Sequence, residues 1–215
     1  GQATFFTATD GNHGRGVAWA ANRLGQKAVV HMPKGTTQTR LQNIAKEGAQ
    51  VDIQELNYDD CVRLAAKEAD ETPRGVIVQD TAWDGYEEIP AWIMQGYGTM
   101  AMEAGEQLKA QGCDRPTHIF VQAGVGSLAG AVVGYFSNLY ADNLPTFVVV
   151  EAEAAACLYK GAAAGESGAA PFGALAAMMT MDEYKDLRND IGLDENSKVL
   201  LFSTEGDTDP DRYKN

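Results

Sequence analysis

The strongest constraint on this chain is a regular alternation. Short apolar runs rich in Val, Ile and Phe take turns with segments of helical periodicity. Strands are expected at Thr4–Thr7, Lys27–Met32, Val51–Leu56, Gly75–Gln79, His118–Gln122, Thr146–Glu151 and Lys198–Ser203. Helices are expected at Gly16–Leu24, Thr37–Glu47, Asp59–Asp70, Pro90–Ala110, Ser127–Tyr140 and Ser167–Met179, with Asn57 capping the third. Gly25 and Gly48 stand where the first two helices must stop. Ser167–Met179 is nearly all apolar and reads as a buried helix. Strands this apolar need cover on both faces, so the fold class is α/β, with parallel sheets flanked by helices. Ligands in such sheets bind beyond the carboxyl ends of the strands. Ala152–Ala164 carries no clear element, and no 20–50-residue repeat is present.

Composition narrows the partners. The 215 residues carry 17 Lys+Arg against 30 Asp+Glu, a net charge of −13, which argues against nucleic acid or an anionic membrane surface. No apolar stretch approaches the length of a spanning helix, and Gly1–Thr4 carries no basic region leading into an apolar one. Cys61, Cys113 and Cys157 are sparse, odd in number and without a CxxC pair, which suits a reducing, cytoplasmic setting and idle thiols. No metal is expected.

Four motifs sit at strand ends. Thr7-Ala8-Thr9-Asp10-Gly11-Asn12-His13-Gly14 leads from a strand into a helix. It reads either as a polar turn with Asp10 or Asn12 as cap, or as a helix start whose N–H groups take an anion. Val78-Gln79-Asp80-Thr81 places an acid where a base or a turn cap could stand. Gln122-Ala123-Gly124-Val125-Gly126-Ser127-Leu128-Ala129-Gly130 runs strand, glycine loop, helix, as phosphate cradles do. It also matches G-x-G-x-x-A, and Glu151 ends the next strand, so a dinucleotide remains open. Phe202-Ser203-Thr204-Glu205-Gly206-Asp207-Thr208-Asp209 offers hydroxyls for a ring nitrogen, or an Asx/ST turn.

Together these motifs resemble the fold-type II family of pyridoxal-phosphate (PLP) enzymes, in particular its diaminopropionate ammonia-lyases. The matching segments are Thr7–Ala21, Val78–Trp83, Ile89–Gly98, Gln122–Gly130, Gly165–Ala169 and Ser203–Asp209, spread over most of the chain in the family's order. DGNHGRGVAWAA and QDTAW are specific strings, whereas the glycine loop is not. The resemblance implies PLP as cofactor and α,β-elimination of ammonia from D- and L-2,3-diaminopropionate, giving pyruvate and ammonia. It implies that Asp10 takes the α-proton of the D-isomer and that Asp80 is a second catalytic acid. Asn12 matches the residue at the PLP 3′-oxygen, and Thr9 and His13 match positions holding the substrate carboxylate. Gly124, Val125, Gly126, Ser127 and Leu128 match the phosphate loop. Ser203 matches the hydroxyl at the pyridine nitrogen, with Thr204 as second choice. Ser167 matches a pocket-lining position. The family's Schiff-base lysine belongs before the Asp10 motif in a Phe-Lys context, and none of this chain's lysines stands in such a context.

The resemblance also implies two open twisted, mostly parallel sheets: a smaller α/β domain over residues 8–91, and a larger PLP-binding domain from 1–7 and 92–215. A homodimer acting on a small amino-acid substrate is expected. The alternatives are a serine/threonine dehydratase, which has serine where Asp10 stands, an NAD-dependent oxidoreductase using Gly124–Ala129 and Glu151, and an inactive binding module.

Overall fold

The computed structural model describes residues 1–9, 11–151 and 170–204. Asp10, the Ala-rich run, Cys157, Ser167 with its GESGA segment, and the chain from Glu205 onward therefore lie outside the described residues. The described chain forms two compact units, Gly1–Pro90 and the residues from Ala91 onward.

The first unit is a four-stranded parallel sheet in the order β3-β2-β1-β4. Its strands are β1 (Thr4–Ala8), β2 (Lys27–Met32), β3 (Gln50–Ile53) and β4 (Gly75–Ile77). The helices α1 (Asn12–Arg23), α2 (Gln38–Ala45) and α3 (Tyr58–Glu71) connect them. β1 is hydrogen-bonded to β2 from Thr4↔Lys27 to Ala8↔His31, and to β4 from Thr4↔Gly75 to Phe6↔Ile77. This corrects the expected division, which assigned residues 1–7 to the other domain: they build the interior strand of the first sheet.

Each helix buries one stripe. In α1 the stripe is Gly14, Val17, Ala18 and Ala21, and in α3 it is Cys61, Ala65 and Ala69, both at helical spacing. Ala65 and Ala69 pack on Phe6, and Ala18 packs with Val30, Met32 and Ile44. The small stripe of α3 lets it lie close to the sheet. At Gly75 the approach is closest, because an added Cβ would stand 2.2 Å from the Ala69 carbonyl oxygen. Burial pushes the Cys61 thiol above its ordinary pKa, with Asp52 and Asp60 adding to the shift. That is the behaviour of a packing thiol rather than a nucleophile.

The second unit is a three-stranded parallel sheet in the order β6-β5-β7. It contains α4 (Glu88–Ala110), β5 (His118–Gln122), α5 (Ser127–Leu139), β6 (Thr146–Val150), α6 (Ala170–Thr180), a 3-10 turn at Asp182–Tyr184, α7 (Lys185–Asp190) and β7 (Val199–Leu201). All five residues of β5 are buried. Ile119 and Val121 enter a core with Ala101, Ala129, Val132, Phe136 and Phe202, while Phe120 enters a second core with Met178 and Leu193. The period of two thus feeds two cores, one on each face of the central strand.

Two sequence expectations fail here. α1 begins at Asn12, four residues before the expected start, so Asn12, His13 and Gly14 form its first turn and not a preceding loop. α6 is not a buried helix. It buries Pro171 and Met178 and leaves Phe172 67% exposed, with Met179 also exposed. A helix lying on one face of a sheet covers a single stripe, and an apolar composition does not say what covers the other side.

The α3 cap is as expected: the Asn57 side chain accepts a bond from the Asp60 N–H at 2.9 Å. Asn57→Ala is expected to cost about 1 kcal/mol and Asn57→Asp to retain most of it, read as shifts in the urea midpoint at constant slope.

Candidate active site

The carboxyl edge of the first sheet is organised by Gln79, which is fully buried. Its Oε1 accepts from Thr7 Oγ1 at 2.9 Å and from the Ala8 N–H at 3.0 Å. Its Nε2 donates to Tyr58 Oη at 2.7 Å and to Asp80 Oδ1 at 3.1 Å. One amide thus ties the ends of β1 and β4 to the start of α3 and orients the Asp80 carboxylate. The Gln79 N–H donates to Tyr86 Oη at 2.7 Å, and Tyr86 stacks on Trp83 with ring centroids 4.1 Å apart. Burial pushes the Tyr86 phenol above its ordinary pKa, the bond from Gln79 opposes this, and the Asp80 charge adds to the rise. The sequence reading assigned no role to Gln79, Tyr86 or Thr81, whose hydroxyl is buried without a hydrogen bond.

The turn after β1 is held from both sides. The Thr9 N–H donates to the His31 carbonyl at 3.0 Å, extending the β1–β2 ladder, and Thr9 Oγ1 accepts from the Gly11 N–H at 3.0 Å. Gly11 is the N-cap of α1, and no side chain caps the helix, so the reading of Asn12 as a simple cap is not what is found. His13 Nε2–H donates to the Val78 carbonyl at 2.8 Å. The other ring nitrogen, Nδ1, stands 3.9 Å from Asp80 Oδ2. Both side chains are nearly buried, 13% and 14% exposed, which favours interaction between them over solvation. The structure therefore brings Thr9, Asn12, His13 and Asp80 to one sheet edge. It places His13 against Val78 and Asp80.

The second group lies in the other unit. The loop Ala123–Gly126 leaves the central strand β5 and enters α5. Gly126 caps α5 with φ 100°, a left-handed conformation suited to glycine, and no side chain caps this helix. The first bond within the helix runs from the Gly130 N–H to the Gly126 carbonyl at 2.8 Å. The N–H groups of residues 127–129 have no acceptor inside the helix, and they add to the positive end of its dipole. At Gly124 an added Cβ would meet nothing within 4 Å, so the loop leaves open space in front of its backbone. Gly124, Val125, Gly126, Ser127 and Leu128 thus fit a phosphate. Ser203 and Thr204 follow β7 at the same edge, and Gln122 Nε2 donates to Thr204 Oγ1 at 2.6 Å. A phosphate cradle and two hydroxyls on neighbouring strands of one sheet fit the two ends of PLP.

The Thr9 turn generates a prediction. A Cβ on Gly14 would stand 2.1 Å from Thr9 Cγ2, so only glycine lets α1 start where it does. Gly14→Ala is expected to cost about 3 kcal/mol and to lower the thermal midpoint by about 6–12 °C. Adding Thr9→Ser, which removes that methyl and keeps the hydroxyl, should recover most of the loss in a calorimetric scan.

Comparison with known proteins agrees with this chemistry. The family described as pyridoxal-phosphate dependent enzyme matches residues 1–197. The diaminopropionate ammonia-lyase of Salmonella typhimurium is 43% identical over 98% of this chain and 68% of its own length. The crystal structure of the Escherichia coli diaminopropionate ammonia-lyase, in complex with an aminoacrylate-PLP azomethine reaction intermediate, superposes with a TM-score of 0.91 at 38% identity, covering 99% of this chain and 70% of that one. The Salmonella typhimurium biosynthetic L-threonine dehydratase is 32% identical over 74% of this chain but 28% of its own length. On these matches, the chain belongs to the pyridoxal-phosphate dependent enzyme family.

Proposed function

We propose that this chain is a diaminopropionate ammonia-lyase, eliminating ammonia from D- and L-2,3-diaminopropionate to yield pyruvate and a second ammonia after hydrolysis. The observation that carries this reading is the 43% identity to such a lyase over 98% of the chain. Of the motifs that support it, Asn12 and His13 and, from QDTAW, Gln79 and Asp80 lie at the carboxyl edge of the first sheet. The cofactor, when bound, supplies an electron sink for the pair left at Cα.

The backbone N–H groups of Gly124–Leu128 bind its phosphate, Asn12 binds its 3′-oxygen, and Ser203 binds its ring nitrogen, with Thr204 beside it. Asp10 takes the α-proton of the D-isomer, and the family's Schiff-base lysine takes that of the L-isomer. Asp80 assists proton transfer to the leaving β-amine. Gln79 Nε2 donates to one oxygen of Asp80 and orients its carboxyl group. Thr9 and His13 serve the substrate carboxylate from the start of α1. A net charge of −13 suits a substrate with two amino groups.

A serine/threonine dehydratase is the second reading, supported by the identity to threonine dehydratase. No helix among the described residues is long and apolar enough to cross a membrane. The sparse cysteines support a cytoplasmic setting. An apolar groove of about 560 Å³ that includes Met94, Gly98, Gly130, Gly134, Tyr135 and Leu139 supports a homodimer, which light scattering checks as twice the chain mass.

The deciding experiment is pyruvate release from D- and L-diaminopropionate with PLP, beside D- and L-serine and threonine. Release from diaminopropionate is expected. Release from serine or threonine alone would replace the lyase by a dehydratase. Asp10→Asn should lower D-isomer turnover at least about 100-fold while the protein stays PLP-bound and L-isomer turnover persists. Asp80→Asn should lower kcat for both isomers by about 10²–10⁴.

A further inference from the structure

Gln122 is the last residue of the central strand β5 and stands immediately before the glycine loop. The three residues before it, Ile119, Phe120 and Val121, are fully buried and apolar. Gln122 is itself only 4% exposed, and among the described residues its buried Oε1 has no hydrogen-bond partner. Such an acceptor weakens the folded state, and a leucine here would avoid that cost. The amide is therefore not explained by the stability of the core.

What it does make is one short bond, from Nε2 to Thr204 Oγ1 at 2.6 Å. The backbone ladder between β5 and β7 extends to the Phe202 N–H and the Phe120 carbonyl, already stretched to 3.4 Å. Past that rung the Gln122–Thr204 bond ties the two chain segments. On the Gln122 side begins the loop with the open face at Gly124 and the uncapped start of α5. On the Thr204 side stands Ser203, which is exposed and makes no hydrogen bond among the described residues.

We propose that Gln122 is a positioning residue for the cofactor: its amide, bonded to Thr204, sets the spacing between the phosphate loop and the Ser203 hydroxyl. The inference rests on the reading that this site binds PLP. PLP is a flat ring that carries its phosphate on a short side arm, with the ring nitrogen as a second point of attachment. Both grips engage without strain when their separation is held, and a loose grip lets the ring tilt. Gln122 acts through Thr204 and the loop and needs no contact with the cofactor.

The test uses the full-length enzyme as Gln122→Leu, Thr204→Val, the double variant and Thr204→Ser. Three quantities are measured: the PLP dissociation constant by fluorescence titration, the circular dichroism of the bound cofactor in its own absorption band, and the thermal midpoint of the cofactor-free protein. Gln122→Leu and Thr204→Val are each expected to weaken PLP about tenfold and to alter the cofactor band. The double variant should be no worse than Gln122→Leu, because the same bond is removed. Thr204→Ser should bind within about twofold of the unaltered enzyme, since it keeps the acceptor. The cofactor-free midpoint of Gln122→Leu should not fall, because the unpaired oxygen goes with the amide. Unchanged affinity and band in both single variants would overturn the proposal. So would a loss of affinity matched by a lower midpoint, which marks a purely structural residue. Failure of the unaltered enzyme to bind PLP would overturn the cofactor reading itself, and this inference with it.

Discussion

The amide of Gln79 holds the carboxyl edge of the first sheet together, and the geometry of that edge follows from it. A parallel sheet ends at its carboxyl edge in backbone that no longer has ladder partners, so something else must satisfy and position it. Gln79 does this with both ends of one fully buried side chain, accepting from Thr7 and Ala8 and donating to Tyr58 and Asp80. Buried hydrogen bonds of this kind are each worth about 1 kcal/mol when made, and more when one partner is lost. Because the four partners belong to the end of β1, the start of α3 and the segment after β4, the arrangement is cooperative. Displacing β4 would release β1, α3 and Asp80 together.

The glycine loop of the second unit is built by the opposite device, absence. No side chain caps α5, Gly126 turns through a left-handed conformation, and Gly124 leaves open space. The backbone itself is then the ligand-binding group, with the helix start supplying the favourable potential. A cradle needs small residues and a helix start, while an acid–base site needs specific functional groups at fixed distances.

Much of this was legible from residue order. The run from His118 to Gln122 could only be a strand covered on both faces, and it is the strand buried along its whole length. Asn57 could be named as a cap before any coordinates, because capping is a contact three residues away. Gln79 could not be singled out. Its bonds to Thr7 and Ala8 span 72 and 71 residues, and nothing in the string QDTAW separates an amide that cross-links strands from one that faces water. The start of α1 was misplaced for a related reason. Glycines at 11, 14 and 16 argue against a helix locally, yet Gly14 is what allows the first turn to lie on Thr9. α6 misled through composition, since an apolar helix on the face of a small sheet buries just one of its sides.

The sequence alone determined the α/β class, the parallel strands, the glycine loop and the family, because these depend on periodicity, local turn chemistry and strings of neighbouring residues. The tertiary structure alone decided which side chains meet. It placed β1 in the interior of the first sheet, turned His13 toward Val78 and Asp80, buried Gln79 among four partners and joined Gln122 to Thr204. The physical reason is the range of the forces involved. Backbone propensity and capping act over three or four residues, whereas hydrogen bonds between strand ends act over a few ångströms of space that the fold must first create.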